Sequence, residues 1–399
     1  MKILHIEDFF HPNAGYQLNV LAKFMARDKH QVTIVTSEMD KMPKSLTEFF
    51  GTNNIKDQDK KYEAAYGIKI IRLPLYTYIS GRSIYNCSNI WNVIEDIQPD
   101  IVYVHGNDTY VAIRVFLHHK HIKCPIITDS HMVDIASTNK FRKVFRSLYK
   151  KFITPIIIKN NITVIRTADD EYVFKRLGIP LEQAPVISLG SDTMLFKPNL
   201  SIKESFKKEN NISKEAFIIL YAGKLNEAKG ALLLGQLTNT IIKTKREIVF
   251  LIIGNTVGDY GKRVEDLFKT SRYRIIRFPT QSYSELGRYY QAADIAVMPR
   301  QCSLSIFDFS ATGLPVIAED NPVNINRIED LAGGSVFKEG DVVSLGSVIA
   351  QYANLDSNAF AVISKKLSAT ASEKYGYDKQ YKKYMDTIEK AIYNYQKIF

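Results

Sequence analysis

Residues 217–230 read FIILYAGKLNEAKG. Phe217, Ile218, Ile219, Leu220 and Tyr221 form the apolar run of a strand covered on both faces. Gly223 lets the backbone turn where that strand ends. Lys224 and Lys229 bracket the loop, and Gly230 opens the helical pattern ALLLGQLTNTIIK. Two cations beside a helix N-terminus make a place for a diphosphate. No activated nucleophile, metal cluster or zinc spacing accompanies them. The chemistry indicated is stabilisation of a departing phosphate.

Outward from this stretch, short β-branched runs alternate with helical patterns. Upstream strands are expected at 2–8, 31–37, 68–74, 100–106, 125–131, 161–167 and 184–190. Downstream ones are expected at 217–223, 248–254, 274–279, 295–299 and 315–320. Amphipathic stretches such as YQLNVLAKFMARD and IWNVIEDIQ lie between many of them. This alternation predicts an α/β fold with parallel sheets and crossover helices, in two Rossmann-like, doubly wound domains. The polar segment 191–216, which contains Pro198, has no strand pattern and marks the boundary. The expected division is 1–195, 196–374 and a tail helix over 375–399.

The chain has 399 residues, 45% apolar and 24% charged, as for a soluble globular protein of two ordinary domains. Cys87, Cys124 and Cys302 have no paired spacing, which favours a reducing cytoplasm. Glu7 and Asp8 interrupt the first apolar run, so MKILHIEDFF reads as a core strand and not a signal peptide. No apolar run approaches the roughly 20 residues of a membrane-spanning helix. The formal charge is +11, yet no zinc finger, RNA-binding aromatic signature or basic tail points to nucleic acid.

Ligands of doubly wound sheets sit beyond the carboxyl ends of the strands. After the first strand comes HPNAGYQLN, where Gly15 allows close approach of a phosphate or sugar, or serves only the turn. The G-x-G-x-x-G of a nicotinamide or flavin site is missing there, and no cofactor is expected. In TDSHMVD, Asp129 can orient His131, which can hydrogen-bond a sugar hydroxyl or accept a proton. His105 and Arg166 end neighbouring strands and are further candidates for sugar or acceptor contacts. On SIFDFSATG, Asp308 can accept both hydroxyls of a ribose.

KFRKVFRSLYKKF carries Lys140, Arg142, Lys143, Arg146, Lys150 and Lys151 with no acid. Phe141, Val144, Phe145, Leu148, Tyr149 and Phe152 recur at helical steps and are expected on one face. The pattern suits an anionic membrane surface, where each basic residue contributes roughly 1 kcal/mol. The plain alternative is an amphipathic helix packed on its own domain.

Taken in order, HPNAGYQLN, QPDIVYVHG, ISLGSDTMLFKP, YAGKLNEAKG, FPTQSYSELGRYYQAADIAVMP and FDFSATGLPVIA resemble the retaining GT-B glycosyltransferases of family 4. The resemblance spans essentially the whole chain. It implies two Rossmann-like domains facing a cleft, an acceptor on the first and a nucleotide-sugar donor on the second. Lys224 and Lys229 then hold the donor diphosphate in place of a metal, Asp308 matches the ribose-binding acid of an E-x7-E motif, and His131 lies near the reacting sugar. The tail from about Tyr375 corresponds to a helix that crosses back to the first domain.

The chain departs from this pattern where the first motif glutamate, a donor-sugar contact, corresponds to Arg300 or Gln301. The resulting expectation is a peripheral enzyme on the cytoplasmic face of the membrane. It would transfer a hexose, with retention, from a UDP- or GDP-sugar to a polyprenyl-diphosphate-linked or similar glycan. A non-catalytic partner subunit is the alternative that the missing glutamate raises. A nucleotide-sugar epimerase needs an acid–base cluster of carboxylates, of which the sequence shows too few.

Overall fold

The structure is a computed structural model, describing residues 1–43, 54–79, 82–132, 140–168, 170–300 and 303–397. The chain divides into two compact units, Met1–Ser188 with Gln380–Phe399, and Leu189–Lys379.

The first unit holds β1 (Lys2–Ile6), β2 (Gln31–Ser37), β3 (Lys69–Leu73), β4 (Leu75–Ile79), β5 (Arg82–Tyr85), β6 (Ile101–Val104), β7 (Ile126–Ser130) and β8 (Thr163–Arg166). Six of these make a sheet in the order β3-β2-β1-β6-β7-β8, and its pairings are all parallel. The second unit holds β9 (Phe217–Ala222), β10 (Ile248–Ile253), β11 (Arg274–Phe278), β12 (Ile295–Met298), β13 (Val316–Glu319) and β14 (Ser335–Phe337). Its sheet runs β11-β10-β9-β12-β13-β14, also parallel, so the two units share one topology. The order reverses between β1 and β6 in one sheet and between β9 and β12 in the other. These are the switch points at which doubly wound sheets bind ligands.

Helices cover both faces, so the strands are apolar on both sides. In β9, Phe217, Ile219 and Tyr221 enter one core cluster while Ile218 and Leu220 enter another. Burying each such side chain contributes on the order of 1.5–3 kcal/mol.

Four local expectations change. Residues 184–190 are no strand: Val186 alone bridges Arg166. Pro185 offers a carbonyl to Arg166 but has no N–H to extend a ladder. The hairpin β4–β5 and the short β14 were not expected. The helix after the lysine loop ends at Leu237, where the Thr238 hydroxyl bonds the Gly235 carbonyl at 2.7 Å, and does not continue to Lys243. Finally, the polar segment after 191 contains a helix, Leu200–Glu209. It buries Phe206 and pairs Lys203 with Asp294 at 2.6 Å, so it is part of the second unit.

Candidate functional site

In the second unit the loop after β9 is tightly built. Gly223 still pairs with β10, its N–H reaching Ile253 O at 2.8 Å. The glycines that the geometry requires are its neighbours. A Cβ at Gly254 would fall 1.9 Å from the Gly223 carbonyl oxygen. Gly230 is left-handed (φ 67°) and closes a 3₁₀ turn, Glu227–Lys229, whose Asn226 side chain accepts from the Lys229 N–H at 3.1 Å. The Tyr221 hydroxyl donates to the Lys224 carbonyl at 2.8 Å. Lys224 is exposed and Lys229 half-buried. The helix that follows, Ala231–Leu237, is only seven residues long, so its dipole adds little; the side-chain cations carry the site.

Arg300 completes this loop. It follows β12, across the switch point from β9. A Cβ on Gly230 would meet Arg300 Cβ at 2.8 Å, so the two segments pack in contact. Asn324 Nδ2 holds the Arg300 carbonyl at 3.2 Å, and Arg300 Nη1 donates to the Glu227 carbonyl at 3.3 Å. A third cation therefore stands on the turn between the two lysines, beside the exposed acid Glu227. Gln301 lies outside the described residues.

Asp308, on the helix Ser305–Ala311, is buried beside Ser191, Asp192 and Tyr283. Tyr283 and Tyr377 share a hydroxyl–hydroxyl bond of 2.5 Å next to it. Among the described residues Asp308 Oδ1 has no hydrogen-bond partner. Burial pushes its carboxyl up to about 8, with Asp192 adding to the rise while the Ser191 and Tyr283 hydroxyls oppose it.

In the first unit, Asp129 is wholly buried at the end of β7. Its Oδ2 accepts from His105 Nδ1 at 2.8 Å, and its Oδ1 accepts from the Gly106 N–H at 2.7 Å and pairs with His131 Nε2 at 3.2 Å. Burial disfavours that carboxylate, but the donors and the two imidazoles facing it prevail and hold it well below its usual range. His131 has a side chain 43% exposed. Packing around the ring resists protonation, yet Asp129 outweighs it and raises its pKa. His105 is not at the surface: it is 1% exposed, and its other nitrogen meets His5 Nδ1 at 2.9 Å. Arg166 is also turned inward, with Nε on the Ala184 carbonyl at 2.7 Å and Nη1 on the Asp170 carbonyl at 3.1 Å. Gly15 lies half-buried just before the helix Gln17–Arg27.

Four charged residues beside this group were missed in the sequence. Arg82 on β5 bonds Asp108 at 3.0 Å and approaches Asp8 at 4.0 Å. Burial raises Glu7, and adjacent Asp8 adds to it; burial likewise raises Asp8. Glu7 and Asp8 end the first expected strand and Asp108 follows the fourth, and the unrecognised hairpin brings Arg82 to Asp8 and Asp108. The readable signal was LYTYISGRSIY, an alternating run broken by Ser-Gly. Among the described residues no group of three or more His, Cys, Asp or Glu side chains is placed to hold a metal ion.

The basic helix spans Arg142–Phe152, and its apolar residues divide between two faces. Tyr149 is buried and Phe145 packs on the same core. Phe141, Val144, Leu148 and Phe152 form an exposed stripe. Lys143 and Lys151 are exposed, as is Arg142. Arg146 instead lies over the Tyr172 ring and Lys150 bonds the Lys175 carbonyl at 3.2 Å. Among the described residues no helix is long and apolar enough to cross a membrane.

Two sheets of one doubly wound order, with cations at the switch point of one and a histidine–aspartate group at the ends of β6 and β7 in the other, agree with what comparison finds. Residues 14–194 match Glycosyltransferase Family 4 and residues 202–366 match Glycosyl transferases group 1. The chain belongs to the group 1 glycosyltransferases of GT-B fold. A curated relative is the lipopolysaccharide 1,2-N-acetylglucosaminetransferase of Salmonella typhimurium, 23% identical over 196 residues, 46% of this chain and 50% of that protein. The chain thus spans about half the length of this relative. Among solved structures, a glycosyltransferase from Rickettsia africae superposes with a TM-score of 0.75 at 16% identity, covering 98% of each chain. Anabaena HepE in complex with UDP gives 0.74 at 16% identity, covering 98% of this chain and 100% of that one.

Proposed function

We propose that the protein transfers a hexose, with retention, from a nucleotide-sugar to a cell-envelope glycan acceptor, without a bound metal. The observation that carries this reading is the turn after β9, where Lys224, Lys229 and Arg300 gather at a switch point. Such cations stabilise charge that develops on a leaving diphosphate, by position and electrostatics. HepE, which shares the fold, is named in complex with UDP, and this supports a UDP-type donor. Asp308 takes the ribose in this reading, its unpartnered Oδ1 accepting a hydroxyl. His131, steadied by Asp129, offers its Nδ1 to the reacting sugar or the acceptor. With no protein nucleophile invoked, the departing phosphate itself receives the acceptor's proton.

The lipopolysaccharide activity named for the Salmonella relative supports a lipid-linked acceptor, such as a polyprenyl-diphosphate glycan. The exposed stripe Phe141, Val144, Leu148 and Phe152, flanked by Arg142, Lys143 and Lys151, suits docking on the anionic inner face of the cytoplasmic membrane. The test is calorimetric binding of a panel of UDP- and GDP-sugars, followed by turnover of the bound donor. Binding without turnover on any glycan would favour the non-catalytic partner; no donor binding at all would sink the enzyme.

A further inference from the structure

We infer that His105 and His5 are positioning residues for His131, acting through Asp129. The inference rests on the reading of His131 as the group that meets the sugar. Neither residue can touch a substrate: His5 is 0% exposed and His105 1%. Both occupy the interior of a sheet whose neighbouring positions are filled by Ile3, Ile6 and Tyr103. Polar side chains buried there destabilise the fold unless every contact is made. Here the ring nitrogens meet partners in a line across three adjacent strands, and the two contacts nearest Asp129 carry protons. Met25 Sδ lies 3.3 Å from His5 Nε2, His5 Nδ1 is 2.9 Å from His105 Nε2, and His105 Nδ1 is 2.8 Å from Asp129 Oδ2.

The direction of donation follows from the carboxylate end of the line and from the single proton on His5. A thioether has no proton to give, and an ionised carboxylate only accepts. Burial, and then His105, lowers His5 well below the usual imidazole value, so it carries one proton. Placed on Nδ1, that proton reaches His105 Nε2 and leaves the contact of His5 Nε2 with the Met25 sulfur as packing without a proton, while His105 gives its own Nδ1 proton to Asp129. The carboxylate is then held by His105 on Oδ2 and the Gly106 N–H on Oδ1, with the Tyr103 hydroxyl also turned to it. A single direction on Oδ1 is left for His131, and so is the negative charge. Packing holds the line in place: the Tyr103 ring stacks on His105 at 4.2 Å, and the His5 and His105 rings lie within 18° of parallel with centroids 5.2 Å apart, joined edge to edge through their nitrogens. The charged groups that face His131 from other segments are Arg82, which opposes its protonation, and Asp108, which assists it.

The experiment is NMR titration of the full chain with labelled histidine, His131 being assigned from His131→Asn. His105→Ala removes a donor from Asp129, so the His131 pKa should rise by about one unit. The kcat should fall by about tenfold with donor KM unchanged. His105→Asn, whose amide can replace the Nδ1 donor, should restore both. His5→Phe keeps the direct bond to Asp129 and should give a smaller shift in the same direction, which covers the case of a His105→Ala chain that does not fold. An unmoved His131 titration in all three variants would overturn the inference, as would His105→Asn behaving like His105→Ala. Should His131→Asn itself turn over normally, the role of His131 fails, while a moved titration would still establish the positioning.

Discussion

A carboxyl buried with one oxygen unpartnered works against folding, and Asp308 is such a group. Its folded pKa of about 8 lies above the ordinary 3.8, so the native chain keeps a proton that the unfolded chain releases. Stability therefore falls as pH rises from about 4 through about 8. Asp308→Asn should remove that slope, adding a few kcal/mol at pH 8 and almost nothing at pH 4 in urea unfolding. Equal stability at pH 8 would refute the buried neutral acid. If a ribose hydroxyl fills Oδ1, donor binding at pH 7 favours the ionised form and releases a proton. Calorimetry in buffers of different ionisation heat measures this, and no release would remove Asp308 from the ribose. At the cation turn, Lys229→Ala should reduce turnover about 100-fold with the fold intact. Arg300→Ala should weaken UDP binding about tenfold, less so at high salt. Near-normal turnover or unchanged affinity would count against the turn. The lysines and Asp308 were legible because their positions after strands could be read from hydrophobic runs. Arg300 was legible only as a departure, since its place on the turn depends on Gly230 and Asn324, which are distant in sequence.

Elements were readable where a single period ruled them. Buried parallel strands showed as continuous apolar runs such as IVFLIIG, yet 184–190 was misread because Pro185 breaks the ladder without breaking the apolar run. The helix Arg142–Phe152 shows a second limit. Its apolar residues share helical spacing, but a wide stripe can be split between core and solvent, and only packing decides which residues go where. This division makes a prediction. Replacing Phe141, Val144, Leu148 and Phe152 together by serine should abolish binding to anionic vesicles in a flotation assay and leave thermal stability nearly unchanged. Tyr149→Ala should do the reverse, costing about 3–5 kcal/mol by opening the core. Vesicle binding that survives the four serines would make the helix purely structural.

Across the whole molecule, the two sheets repeat one strand order, and alternation of strands and helices was enough to foresee both. Which unit a segment joins does not follow from that alternation, and for the tail only the family resemblance suggested the first domain. The helix Tyr377–Gln396 places Tyr381, Tyr384, Met385 and Ile388 in the core of the first unit, and the Tyr384 hydroxyl donates to the Ile187 carbonyl at 3.0 Å. A chain cut before Gln380 should lose the cooperative unfolding of the first unit while the second keeps its own calorimetric transition; two intact transitions would contradict this. The same helix bears on biosynthesis. Chains fold as they leave the ribosome, domain by domain and in general from the amino end. Here the unit begun first lacks part of its core until the segment after Lys379 emerges. The second unit, contiguous in sequence, is free to fold before it. Nascent chains stalled through a short linker after residue 399, so that only the segment after Lys379 is still inside the ribosome, should therefore present a protease-resistant second unit and a first unit still open to chaperones, reversing the usual order.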